Sequence, residues 1–340
     1  MKYFEAHHVT DFKDAEGNVP EILLVDGNRS GGKTTSFSRL LVNDFLEHGW
    51  KFMLILRYKN DLANVSEAFF KDIRSLFFDG HEMKSKPFAN GAYMELYLDS
   101  KPCGYATALS MAGKIKRYSH VFSDVHHMFF DEYQDENNIY LPDEVQKLQS
   151  IHTTVARGQG QAVRFVPLYM CSNSISIFNP YYLALGITSK INSRTKVYRG
   201  TGFVLLRLVL KDIANAQKQS SFNRAFSGSG YLSSSIDNTF LNDDTFNVEK
   251  RKVTGSATFI FICSGKLYSA HYSQDGWYVR KGGDGNVTPC FGVMETDRGD
   301  GVTAIRNSFY LSRLRYDYED ALIFYDSQET KKAFMSLLFA

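Results

Sequence analysis

Cysteine is scarce in this 340-residue chain: only Cys103, Cys171, Cys263 and Cys290 occur, without paired spacing. That excludes a disulfide framework and a cysteine-based zinc site, and it fits a reduced, cytosolic compartment. No apolar run approaches the ~18 residues needed to span a bilayer. The opening MKYFEAHHVTDFKDAEG lacks the pattern of a signal peptide, so a soluble intracellular protein is expected. There is no internal repeat and almost no net charge, with 39 Lys and Arg against 37 Asp and Glu. Apolar residues at 44% and charged residues at 22% exclude intrinsic disorder and collagen-like structure. A length of 340 residues suggests two domains at roughly 150 residues each, and 27 Phe with 20 Tyr can fill two cores.

The balanced charge hides an asymmetry. From Val145 to Ile236 stand eleven Lys and Arg against one acid, Asp212, whereas the segments before and after are mildly acidic. Such a block suits a polyanion or a neighbouring subunit, because neutralising phosphates and releasing counterions supplies sequence-independent affinity. Solvated cations paired with acids from the flanking segments are the plain alternative.

The apolar run EILLVD, residues 21–26, stops at Gly27 as a buried parallel strand does. Lys33–His48 has helical spacing closed by Gly49. WKFMLILRY (50–58) predicts a second strand and 60–78 a helix. MELYLD and YATAL flank the turn SKPCG as a hairpin, and Asp124–Phe130 forms a further strand. Residues 142–157 form a helix closed by Gly158, and FVPLYMC (165–171) and TGFVLLRLVL (201–210) complete the set. Alternating strands and helices predict a parallel α/β sheet over residues 1–210. The Ser- and Gly-rich stretch inside 211–236 reads as a linker. Residues 237–340, with short strands at 258–263, 268–272, 277–280 and 322–325 and a helix from Glu329, predict a smaller α+β domain.

Gly27-Asn28-Arg29-Ser30-Gly31-Gly32-Lys33-Thr34 matches the P-loop pattern between a predicted strand and a predicted helix. The backbone from Gly27 to Thr35 would cradle phosphates at a helix N-terminus, Lys33 would reach the β- and γ-phosphates of ATP, and Thr34 would bind Mg²⁺. A glycine-rich turn with a stray lysine is the alternative. MFFDE, residues 128–132, is an apolar strand ending in two acids. Asp131 is assigned to Mg²⁺ and Glu132 to activation of water. His126 and His127 are neighbours on a strand and so point to opposite faces, which makes them structural residues. Ser172 and Asn173 end a strand, where they could sense the γ-phosphate or cap the next segment. Arg57 ends the second strand and could approach the nucleotide or a neighbouring subunit. Arg157 closes a helix in TTVARGQGQ, a position for charge stabilisation from an adjacent subunit or for a cation at a helix C-terminus.

These motifs, in this order, resemble the DNA-packaging ATPases of phi29-like bacteriophages, compact relatives of the large terminase subunits of tailed phages. The resemblance runs through GNRSGGKTT, ILRYKNDLANVS, the hairpin ending in ALS, MFFDEY, TTVARGQ and CSNSISIFNPYY, and more weakly through SIDNTF and VEKR. Arg29 inside the P-loop is a further likeness. The resemblance implies a RecA-like, additional-strand-catalytic-glutamate P-loop domain followed by an RNase H-like domain that has lost its metal-binding acids. It implies ATP hydrolysis with Mg²⁺ in a homo-oligomeric ring, usually of five subunits, acting on double-stranded DNA. The ring would dock at the portal vertex of an empty capsid in the host cytoplasm, together with a structural RNA. By position Arg157 matches a trans-acting arginine finger and Lys116 a trans-acting lysine, although Lys114 and Arg117 flank it. The first strand of the last domain, TFIFICSG, has no acid, and Asp275, Asp284, Asp297 and Asp300 fall in glycine-rich turns. Nucleic-acid binding without nuclease activity is therefore expected. A helicase-like translocase would need a second RecA-like lobe. A nucleotide-gated assembly factor would not need Glu132.

Overall fold

The computed structural model describes residues 3–136, 139–157, 163–188, 190–192, 195–208, 210–225, 247–253 and 255–339. They fall into two compact units, one of residues 1–135, 145–175 and 191–241, the other of 136–144, 176–190 and 242–340.

The first unit is built on β1 (Ile22–Gly27), α1 (Lys33–His48), β2 (Lys51–Leu56), α2 (Val65–Phe77), β3 (Met83–Phe88), β4 (Tyr93–Leu98), β5 (Lys101–Ala108) and β6 (Val125–Asp131). It continues with α3 (Glu144–Val155), β7 (Leu168–Ser172), β8 (Val197–Gly200), β9 (Phe203–Leu208) and α4 (Lys211–Gln219). The sheet order is β3-β4-β5-β2-β6-β7-β1-β9-β8. From β5 to β9 all neighbours are parallel, and antiparallel pairs close both edges. The central strands are buried on both faces, which explains their unbroken apolar runs. Phe37 and Leu41, one turn apart on α1, are fully buried, and the Phe37 ring meets Phe129 of β6 and Tyr169 of β7. The hairpin turn is Asp99-Ser100, both left-handed, rather than SKPCG; β5 therefore starts at Lys101. β3, unforeseen from its mixed pattern MKSKPF, adds an exposed edge.

The second unit contains β10 (Phe259–Cys263), β11 (Lys266–Ser273), β12 (Gly276–Lys281), β13 (Cys290–Gly292), β14 (Val302–Thr303), α5 (Phe309–Glu319), β15 (Ile323–Tyr325) and α6 (Gln328–Leu338). Its sheet order is β14-β13-β10-β11-β12-β15, an antiparallel meander β10-β11-β12 extended on both sides by parallel strands. Phe259, Phe261, Phe291 and Phe334 fill its core. The helix α5 was not anticipated. Its Asp317 is buried and accepts from Trp277 Nε1 and Arg313 Nε, both at 2.7 Å.

Two boundaries differ from the sequence reading. Segments 136–144 and 176–190, placed in an uninterrupted domain over 1–210, group with the second unit. Within that unit the Tyr140 ring packs on Phe339, and Tyr181 donates to Glu144 at 2.6 Å, so aromatic burial rather than chain order decides their membership. The first half of the expected linker is helical, over Lys211–Gln219 and Ser221–Ala225, with Ile213 and Ala214 buried. Residues 226–236, and Gly158, lie outside the described residues.

Candidate active site

The loop after β1 turns through left-handed Ser30 and Gly32 (φ +59° and +82°) and enters α1 at Lys33. At Gly31 an added Cβ would lie 3.0 Å from Leu210 Cδ1 and 3.2 Å from the Asn28 carbonyl, so glycine lets the loop close. The α1 N-terminus thereby opens on a cavity of about 300 Å³ lined by the loop residues Arg29 to Thr35, by Asp131 and Glu132, and by Ser172 and Asn173. Three adjacent parallel strands, β6, β7 and β1, end there. β7 is the additional strand that separates the P-loop strand from the acidic strand.

Lys33 Nζ donates to the carbonyls of Gly27 (2.9 Å) and Asn28 (3.0 Å), so these two residues sit beneath the cavity as an anchor. Burial pushes the Lys33 ammonium below its ordinary range, against the opposing charges of Asp26 and Asp131. The amide of Asn173 fits with its nitrogen toward Gly27 O and its oxygen toward Arg29 Nε, each at 3.3 Å. Asp131 accepts from the Cys171 thiol (2.9 Å) and from Glu132 N (2.9 Å). Burial raises its carboxyl above the ordinary value, opposed by hydrogen bonds from Cys171, Thr34 and Glu132 N and by the Lys33 charge. Burial, reinforced by Asp131, keeps Cys171 a thiol and hence a donor.

Glu132 is exposed at the cavity on left-handed backbone, φ +53°, a conformation that costs roughly 1–2 kcal/mol for a residue with a Cβ. Arg57 holds it there, with Nη1 donating to Glu132 O (3.2 Å) and Nη2 to Tyr133 O (2.8 Å). Arg57, which the sequence left free to approach a nucleotide or a neighbouring subunit, is buried behind Glu132 and does not line the cavity. Arg157 and Lys116 are exposed and also absent from the lining. His126 is exposed and stacks on Trp50, while His127 is buried 3.1 Å from Asp44 and also meets the Trp50 ring.

Sequence reasoning missed the support beneath the site. Asp26, fully buried one residue before the loop, accepts from Tyr133 OH (2.5 Å) and Gln134 Nε2 (3.0 Å). An acid closing the apolar run EILLVD was the available signal. The basic block is also less superficial than its sequence suggests. Arg207 is buried and donates to Asn192 O (2.7 Å), and Arg164 donates to the carbonyls of Phe122, Val125 and Val155.

Among the described residues no group of three or more His, Cys, Asp or Glu could hold a metal ion. The oxygen donors Thr34 and Asp131 fit Mg²⁺, which needs only one or two protein ligands when substrate phosphates complete its shell. Among those residues no helix is long and apolar enough to cross a membrane.

Residues 20–339 match the family model described as podovirus DNA encapsidation protein (Gp16). The chain is 27% identical over 312 residues to the DNA packaging protein of Bacillus phage phi29, covering 90% of this chain and 89% of that one. Its fold is similar to that of the Phi-28 gp11 DNA packaging motor, with TM-score 0.60 and 18% identity over 99% of this chain and 98% of that one. The bacteriophage Phi-29 viral genome packaging motor assembly gives a TM-score of 0.56 at 22% identity, covering 98% and 99%.

Proposed function

The chain belongs to the podovirus DNA encapsidation protein family, and from that premise we propose that it is an ATP-driven motor that moves double-stranded DNA into a preformed capsid. The observation that carries the reading is the convergence of the P-loop, the Asp131-Glu132 pair and Asn173 on one cavity at the ends of three parallel strands. In this reading Lys33 leaves the Gly27 and Asn28 carbonyls for the β- and γ-phosphates, while loop N–H groups hold the phosphate chain. Thr34 and Asp131 hold Mg²⁺, which supplies charge neutralisation when bound. Glu132 takes the proton of the attacking water, and Asn173 reports the γ-phosphate to Arg29. Arg157 and Lys116, exposed and outside their own cavity, serve the nucleotide of a neighbouring subunit. A ring, of five subunits on the family resemblance, would then fire only where subunits meet. It would work in the host cytoplasm, docked at the portal vertex, with a structural RNA as a further partner. The carboxy-terminal domain binds nucleic acid without cutting it; its antiparallel meander extended by parallel strands supports an RNase H-like origin, and Asp297 is engaged by the N–H groups of Ser264, Gly265 and Met294.

ATP turnover measured with and without empty capsids and linear duplex tests the reading. Stimulation by both together is expected. Glu132→Gln should keep nucleotide binding and stop turnover, and near-normal turnover in that variant would overturn the catalytic assignment.

A further inference from the structure

The two strands that deliver Glu132 and Asn173 to the cavity also deliver two of the three points at which the chain leaves the first unit. After β6, Glu132 lines the cavity and the chain leaves the unit beyond Asp135; after β7, Asn173 lines it and the chain leaves beyond Ile175. One buried side chain ties the two departures together. Gln134, 2% exposed, accepts at Oε1 from Ile175 N (3.0 Å) and donates from Nε2 to Asp26 Oδ2 (3.0 Å) and to Tyr133 OH (3.3 Å). Its partners fix the amide's orientation, since a backbone N–H only donates and a carboxylate accepts. On the main chain, Gln134 N donates to Ser172 Oγ (3.2 Å), and that hydroxyl lies 3.3 Å from Gln134 O. Gln134 itself does not line the cavity.

We propose that Gln134 is a coupling residue, whose amide makes segments 136–144 and 176–190 respond together to displacements of Glu132 and Asn173, so that ATP turnover and DNA movement stay in step. The inference rests on the motor reading above. Its physical basis is that neither departure can shift alone without leaving a buried polar group unpaired. Gln134 acts through others and is a positioning residue.

The test is the number of base pairs packaged per ATP hydrolysed, using the full chain with empty capsids and linear duplex. Gln134→Met keeps the bulk and removes the amide. Base pairs packaged per ATP are expected to fall by about tenfold, a ratio that a change in turnover alone does not move. Gln134→Asn keeps an amide too short to span both partners and should lower the ratio in the same direction. It decides the matter if the methionine variant does not fold. An unchanged ratio overturns the proposal. So does a parallel loss of turnover and packaging with a raised KM for ATP, which would make Gln134 a support for the cavity alone. Failure of both variants to fold overturns it as well. If the wild-type chain itself takes up no DNA with ATP, the motor reading fails first.

Discussion

Tyr133→Phe removes one atom from beneath the P-loop and gives a sharp test of how that loop is supported. The hydroxyl donates to Asp26 Oδ1 at 2.5 Å, and both residues are fully buried. A hydrogen bond to a charged group contributes about 1.5–3 kcal/mol. Gln134 still donates to the other carboxylate oxygen, so the loss should fall near 2 kcal/mol, about 4–8 °C in the melting temperature of a unit this size. Urea denaturation followed by far-ultraviolet circular dichroism measures the difference. An Asp26→Asn background supplies the second leg of a double-mutant cycle, in which the same substitution should cost under about 1 kcal/mol, because a neutral pair is weaker. A cost below about 0.5 kcal/mol in the native background, or equal costs in both backgrounds, would refute the claim that this bond holds a buried carboxylate in place.

Arg157→Ala should be nearly inactive alone, since a finger supplied in trans contributes about 10³–10⁵ in rate. Mixing it with Glu132→Gln protein should restore part of the ATPase activity, and no recovery at any ratio would place the arginine in its own subunit. Duplex binding should weaken with salt at a log–log slope of about −0.9 per phosphate neutralised, and Lys190→Glu with Lys196→Glu should flatten it. A slope indifferent to such reversals moves the DNA contact out of the basic block. At Gly104 an added Cβ would lie 2.4 Å from the Phe52 carbonyl on the neighbouring strand. Gly104→Ala should therefore cost about 1–3 kcal/mol in urea denaturation, and wild-type stability would show that β2 and β5 can part freely. Hydrogen bonds from the N–H groups of Gly202, Asn18 and Glu16 hold the Asp14 carboxyl below its ordinary 3.8. A folded value below the unfolded one stabilises above pH 3.8 and is lost as pH falls through the lower value. Asp14→Asn should melt below wild type near neutrality and converge with it in acid; a gap independent of pH would contradict this.

Elements whose signal is local were legible in the chain alone. The P-loop, the strand that feeds it and the helix that follows lie within 28 residues, Glu21 to His48, and each has a pattern that its own neighbours impose. The acids at the end of MFFDE were legible for the same reason. Which strands stand side by side was not legible, because parallel neighbours come from distant parts of the chain. The insertion of β7 between β1 and β6 sets Cys171 against Asp131 and Ser172 against Gln134. Arg57 shows the same limit. At the end of β2 it looked available to a nucleotide, but β6 lies beside it, and two carbonyls of the Glu132 segment take its guanidinium. Segments 136–144 and 176–190 went to the second unit because burial of Tyr140 and Tyr181 there outweighs their position in the chain. A buried polar group must find a partner wherever the sheet order puts one, and which residue that is depends on packing between distant parts of the chain.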